Sequence, residues 1–206
     1  MKKSNAKWIA ILLAGVLSAM IFSGCAAEES SVSPEKTAPT QSASAPSAET
    51  SENFVGEFST QDVNGNTYTK EMFNDYDLTL VNVYTTWCTP CVQEMPELDE
   101  LYKQMKDKGV NVIGVVLDVL NEKGEIVPED LERAQELVKR TGVSYPTLLP
   151  DDTYMNGRLI GIEGFPETFF VDKNGNIVGE TYSGSGDLAY WTSVVEKELA
   201  KVREAD

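Results

Sequence analysis

Residues 54–206 predict an α/β domain, a central mixed β-sheet flanked by helices, with an N-terminal β-hairpin extension. Three patterns carry this expectation. Two runs, 78–84 (LTLVNVY) and 110–117, are apolar at most positions, as strands buried on both faces are. Each is followed by a stretch with helical signals, and the order strand, helix, strand, helix builds parallel pairing. A hairpin signature over 168–178 then adds strands of the opposite sense, and a last helical stretch closes the chain.

The elements follow in order. Residues 54–68 read as the hairpin, with Asn64-Gly65 as its turn signal. Residues 90–106 read as a helix. Pro90 suits its first turn, where no N–H is needed, and Leu98, Leu101 and Met105 form one apolar stripe. A second helix spans 128–140, with Pro128 near its start and Gly142 just past its end. Residues 144–149 form a short extended segment, where Pro146 fits strand entry. Residues 168–171 and 177–178 pair across the turn 172–176. Residues 188–202 form a helix with Leu188, Trp191, Val195 and Leu199 on one face. Residues 118–130 (DVLNEKGEIVPED) read as an acidic loop, for solvation or partner selection. Residues 154–160 fit no regular pattern.

The first 53 residues differ in kind. Lys2, Lys3 and Lys7 precede an apolar run over 8–22, and the small residues Ser23-Gly24 lead to Cys25. Basic, apolar, small is the layout of an export signal. The run is shorter than the roughly 20 residues a spanning helix needs. Phe22-Ser23-Gly24-Cys25 resembles the lipobox of bacterial lipoproteins, although Phe22 stands where leucine is usual. The resemblance implies a signal peptide over 1–24, cleavage before Cys25 and lipid on the Cys25 sulfur; an uncleaved signal anchor is the alternative. Losing three lysines takes the net charge from −16 to −19. Residues 26–53 are nearly all Ser, Ala, Glu, Thr or Pro, too polar to offset the entropy of ordering. With Cys25 they read as a disordered tether.

Composition removes several functions. Among 206 residues, 33 Asp and Glu outnumber 17 Lys and Arg, so a basic nucleic-acid-binding face is not expected. Histidine is absent, which excludes Ser-His-Asp and Cys-His catalysis and any His-ligated metal or haem within this chain.

The chemistry concentrates in Trp87-Cys88-Thr89-Pro90-Cys91, between a buried strand and a helix start. Two intervening residues let a disulfide close on the first helical turn. A cysteine at a helix N-terminus faces free N–H groups and the positive end of the dipole, and both favour thiolate. Cys88 is therefore the expected nucleophile. Cys91, one turn in and less accessible, is the expected resolving thiol. A zinc half-site would need two further ligands, and with Cys25 set aside for lipid no His or further Cys is available. A purely structural disulfide would close too small a loop to gain much.

This constellation resembles the thioredoxin superfamily, and within it the exported TlpA/ResA-like group of membrane-anchored thiol–disulfide oxidoreductases, over roughly residues 54–202. Pro96 matches the proline that kinks the active-site helix. Asn82 stands where thioredoxins carry a buried aspartate and ResA-like proteins carry Asn. Glu94 matches an active-site glutamate of the ResA-like proteins. Phe165-Pro166-Glu167-Thr168 matches the cis-proline segment facing the cysteines. The resemblance implies a thioredoxin-like fold, a cis Pro166 and a backbone at Phe165 on which a client segment pairs. It implies Trp87 as an apolar wall over the disulfide, with an ordinary core Trp as the alternative. Glu94, if partly buried, would hold or move the proton that Cys91 loses; a solvated carboxylate is its alternative. Thr89, Pro90 and Asn82 are expected to tune the redox potential. Thr89 departs from the Gly of thioredoxin and the Glu of the haem-pathway ResA proteins.

The implied function is an extracytoplasmic reductase of disulfides in exported proteins, lipid-anchored at the outer face of the cytoplasmic membrane. It needs no cofactor beyond the redox-active Cys88–Cys91 pair. No nicotinamide or flavin motif is present, so electrons would come from a membrane donor of CcdA/DsbD type. Clients of the family include apocytochrome c and methionine sulfoxide reductase. A DsbA-like oxidase and a non-catalytic lipoprotein binding module are the alternatives. A peroxidase is discounted because Val81 and Thr85, and no proline, occupy the offsets before Cys88. A Sco-type copper carrier would want histidine.

Overall fold

A computed structural model describes residues 53–205; the expected signal peptide over 1–24, Cys25 and all but the last residue of the tether expected over 26–53 lie outside them. A two-stranded antiparallel sheet, β1 (Ser59–Gln61) and β2 (Thr67–Thr69), precedes the main sheet. The main sheet holds β3 (Leu78–Tyr84), β4 (Val110–Val116), β5 (Thr147–Leu148), β6 (Glu167–Asp172) and β7 (Ile177–Ser183) in the order β5-β4-β3-β6-β7. β3 runs parallel to β4 in register from Leu78↔Val110 to Tyr84↔Val116, and β4 parallel to β5. β6 lies antiparallel to β3, and β7 to β6. The helices are α1 (Thr89–Met105), α2 (Pro128–Thr141) and α3 (Leu188–Ala205).

Every residue of β3 and β4 is buried, which is why both read as continuous apolar runs. Strand alternation sorts their side chains onto two faces. Leu78, Leu80, Val110 and Val112 pack with Leu98, Leu101 and Met105 of α1 and with Trp191, Val195 and Leu199 of α3. Val81, Val83, Ile113 and Val115 face Val55, Phe58, Phe73, Met155 and Leu159 instead. A third cluster joins Tyr84 and Val116 to Cys88, Cys91 and Met95 and to Ala134 and Leu137 of α2. It lies where the parallel strands end. The segments 85–88, 117–127 and 149–166 all leave the sheet at that end, as ligand-binding loops of open parallel sheets do.

Three segments differ from their sequence patterns. The first hairpin turns through a longer loop than an Asn-Gly pair needs, because the Asp62 carboxylate accepts from Asn64 N–H, Asn66 N–H and Asn66 Nδ2 at 2.9 Å each. The acidic loop folds into a small hairpin: Leu120 bridges Ile126, and Asn121 Oδ1 accepts from the N–H groups of Lys123 and Glu125. Tyr154, Met155 and Asn156 form a left-handed turn at φ near 50° (53°, 50° and 55°). Asp151 Oδ1 holds it through Met155 N–H at 2.7 Å, and the buried Met155 anchors it. Such a turn has no helical or strand period to betray it.

α3 is held against β7 by Glu198, fully buried, which accepts from Tyr182 OH at 2.6 Å and Lys201 Nζ at 3.0 Å. Gly179 sits over it at φ 69°, and a Cβ there would lie 2.2 Å from Glu198 Oε2. Gly179→Ala is expected to lower the unfolding free energy by about 2 kcal/mol from the left-handed backbone alone, and by more from the clash. Urea denaturation of the oxidised protein measures it.

Candidate active site

The end of β3 delivers the chain to Cys88, which caps α1, and a disulfide joins Cys88 to Cys91 with 5.3 Å between their Cα atoms. The Cys91 N–H points at Cys88 Sγ from 3.3 Å, an unpaired first-turn donor aimed at sulfur. Thr89 and Pro90 complete the first turn and are exposed; Pro96 lies inside the helix. Cys88 retains 4% of its surface and Cys91 none, so a partner reaches the outer sulfur first.

Two loops frame the disulfide. Trp87 stands 68% exposed, and its ring meets Phe165 edge to face at 6.1 Å. The Phe165–Pro166 peptide is cis, and Phe165 packs against the cluster that holds both cysteines. Trp87 is thus not a core residue. Pro146, in contrast, is trans and leads into β5. Thr86 is clasped by Asp118, whose carboxylate accepts from its N–H at 2.9 and 3.0 Å and from its hydroxyl at 2.6 Å. Gly184 N–H donates to the Pro166 carbonyl at 2.9 Å, tying the cis-proline segment to the lead-in of α3.

The core also holds a polar group on the helix that begins at the disulfide. Glu94, one turn beyond Cys91, is buried. Its Oε1 accepts from Asn82 Nδ2 at 2.8 Å, and its Oε2 from Gly186 N–H and Trp191 Nε1 at 3.1 Å each. Asn82 Nδ2 also donates to Thr168 Oγ1 at 3.1 Å. Burial pushes the Glu94 carboxyl above the ordinary carboxylate range, and the three hydrogen bonds pull back against it.

Trp87, Cys88, Thr89, Pro90, Cys91, Phe165 and Pro166 therefore gather at one end of the sheet, while Asn82 on β3 and Glu94 on α1 are bonded to each other in the core. Asp118, Thr168, Gly186 and Trp191 complete the arrangement and were not singled out for it in the sequence. Asp118 left a trace, as the first acid after a buried strand. Trp191 read only as an apolar position of its helix. Among the described residues, no group of three or more His, Cys, Asp or Glu is placed to hold a metal ion. No described helix is long and apolar enough to cross a membrane.

Residues 52–179 match the AhpC/TSA family. The chain belongs to the AhpC/TSA family. This AhpC/TSA protein is 33% identical over 138 residues to the thiol:disulfide interchange protein DsbE of Haemophilus influenzae, across 67% of this chain and 68% of that one. It is 31% identical over 98 residues to the thiol-disulfide oxidoreductase ResA of Bacillus anthracis, across 48% of this chain and 50% of that one. It thus spans about half the length of that ResA. Its fold matches a thioredoxin-family thiol:disulfide interchange protein from Chlorobium tepidum, with a TM-score of 0.58, 24% identity and coverage of 71% of this chain and 96% of that one. It also matches the exposed lipoprotein thioredoxin of Streptococcus pneumoniae, at 0.52 and 23%, over 69% of this chain and 99% of that one. The AhpC/TSA member described here is accordingly a thiol–disulfide oxidoreductase of thioredoxin-like fold.

Glu94 gives the domain a pH signature. Its raised value means that the folded chain keeps this proton to higher pH than the unfolded chain, whose value is near 4.5. Ionising it then costs stability, a cost absent below the unfolded value and complete above the folded one. Glu94→Gln does not titrate. Its stability relative to wild type is therefore expected to rise with pH from about 4.5 upward and then level off. Urea unfolding of both oxidised proteins across that range checks this, and a pH-independent gap contradicts it.

Proposed function

We propose that this oxidoreductase is a reductase of disulfides in exported proteins, anchored through lipid on Cys25 at the outer face of the cytoplasmic membrane. The observation that carries the reading is the Cys91 N–H aimed at Cys88 Sγ, with Cys91 sealed behind it. In the reduced protein that N–H and the α1 dipole favour a Cys88 thiolate. The thiolate attacks one sulfur of a client disulfide; the client S–S bond breaks and its other sulfur leaves as thiolate. Cys91 gives its proton to Glu94 and attacks Cys88 Sγ. The Cys88–client bond breaks, the second client sulfur leaves, and the Cys88–Cys91 disulfide remains. Two electrons have passed from the pair to the client, whose thiolates take protons from water or Glu94.

Trp87 and Phe165 offer the client an apolar rim, and the backbone before Pro166 offers it strand pairing. Thr89, Pro90 and Asn82 set the potential. The pair itself is the redox group, so electrons must return from a membrane donor of CcdA/DsbD type. Apocytochrome c and exported methionine sulfoxide reductase are clients of suitable chemistry. The lipobox-like sequence ending in Cys25 supports the anchor.

The reduction potential of the pair, measured on the full chain in detergent by equilibration with glutathione, tests the direction. A value at or below about −220 mV is expected for a reductase, whereas one near about −120 mV would make the protein an oxidase. The reduced protein is expected to reduce insulin. Cys88→Ser abolishes this, and Cys91→Ser accumulates a Cys88–insulin mixed disulfide separable by non-reducing electrophoresis. A trap on Cys91 instead would reverse the two roles.

A further inference from the structure

The two oxygens of Glu94 are not equivalent. Oε2 receives two backbone-anchored or rigid donors, Gly186 N–H and Trp191 Nε1–H. It must remain an acceptor whether or not the carboxyl is protonated. A proton taken up by Glu94 therefore resides on Oε1, which faces Asn82. There the structure shows a donor, Nδ2, at 2.8 Å. An O–H and an N–H pointed at one another cannot bond. Asn82 also carries an acceptor, Oδ1, which is buried and has no hydrogen-bond partner among the described residues. An unmet buried acceptor is costly, and this one sits on the side chain that a protonated Glu94 would need.

We propose that Asn82 is a two-position amide that turns over when Glu94 changes protonation state, presenting Nδ2 to the carboxylate and Oδ1 to the acid. The proposal rests on Glu94 accepting the Cys91 proton. A half-turn about the Asn82 Cβ–Cγ bond exchanges Nδ2 and Oδ1, groups of similar size, and needs no repacking. Thr168 makes both positions workable, because its hydroxyl can accept or donate. With Glu94 ionised it accepts from Nδ2 at 3.1 Å, as seen. With Glu94 protonated it donates to Oδ1, which also accepts from Glu94 Oε1–H. An aspartate at this position would bring a second charge, and an apolar residue would serve neither state.

The surroundings permit the change. Around Glu94 stand the Asn82 amide from β3, the Thr168 hydroxyl from β6, Cys91 on its own helix, and the Gly186 amide and Trp191 indole at the start of α3. Tyr145, a buried phenol, feels the Glu94 charge. Glu97, one turn on, is engaged with Leu188 N–H at 3.1 Å. The groups that bond Glu94 are all neutral, so the amide is what adapts to its charge. Asn82 is a positioning residue: it touches neither client nor sulfur in the role described, and it keeps Glu94 hydrogen-bonded in both states. Through Thr168, two residues beyond Pro166, each turn also changes a bond to the strand carrying the cis-proline segment.

The experiment is NMR of the full reduced chain in detergent micelles, following the Glu94 carboxyl carbon and the Asn82 side-chain amide against pH. Both are expected to titrate with one midpoint, and the cross-peaks of the Asn82 amide hydrogens to Thr168 are lost in the acid form. Glu94→Gln is expected to show the acid-form pattern at every pH. Its side-chain oxygen must face Gly186 and Trp191, leaving its NH2 toward Asn82. Should Glu94 titrate while the Asn82–Thr168 cross-peaks persist, in wild type and in Glu94→Gln, the amide does not turn and the proposal fails with the proton role of Glu94 intact. Should the Glu94 carbon not titrate in the reduced protein, the proton role itself fails and the switch falls with it.

Discussion

The central strand β3 is buried along its length and hydrogen-bonded on both edges, to β4 and to β6. Such a strand cannot shift register without moving an apolar set off the core. Its last residue, Tyr84, is therefore a fixed point. Four residues later the chain caps α1 with Cys88, and the N–H of Cys91 is pinned toward the Cys88 sulfur. The position of the disulfide thus follows from the packing of β3 and not from the loop that carries it.

That packing leaves little room for charge, yet two carboxylates sit at the redox end. Asp118 is only partly buried and spends its acceptors on Thr86, fastening the loop between β3 and α1. Glu94 is deep, and its three donors come from β3, from the α3 lead-in and from α3 itself. Burial raises the pKa of this carboxyl, and its three neutral donors pull against that rise. The same hydrogen bonds join α1 to β3, to the α3 lead-in and to α3.

Much of this was legible in the residues. LTLVNVY and the run after Gly109 announce buried strands because both of their faces are covered. The Cys88–Cys91 spacing after a strand announces a helix-capping disulfide, and Phe165-Pro166 announced the cis peptide through its family likeness. Less was visible where the pattern is polar or aperiodic. β7 continues to Ser183 although Gly179, Glu180 and Thr181 look unlike a strand, because an exposed edge needs no apolar face. The left-handed turn over 154–156 contains no glycine; bonds from Met155 N–H to Asp151, from Asn156 N–H to Thr153 and from Asn156 Nδ2 to the Phe54 carbonyl hold it, and Met155 is buried.

By itself the sequence determined the cysteine pair, the helix start that holds it and the strand that leads to it, because these depend on neighbours along the chain and on local periodicity. Only the tertiary structure decided that Glu94 is buried, that Asn82, Gly186 and Trp191 hold it, and that Asp118 clasps Thr86. These bonds join residues 12 to 97 positions apart. Whether a carboxylate is solvated or enclosed is a property of the surfaces that close over it, and no local pattern records those.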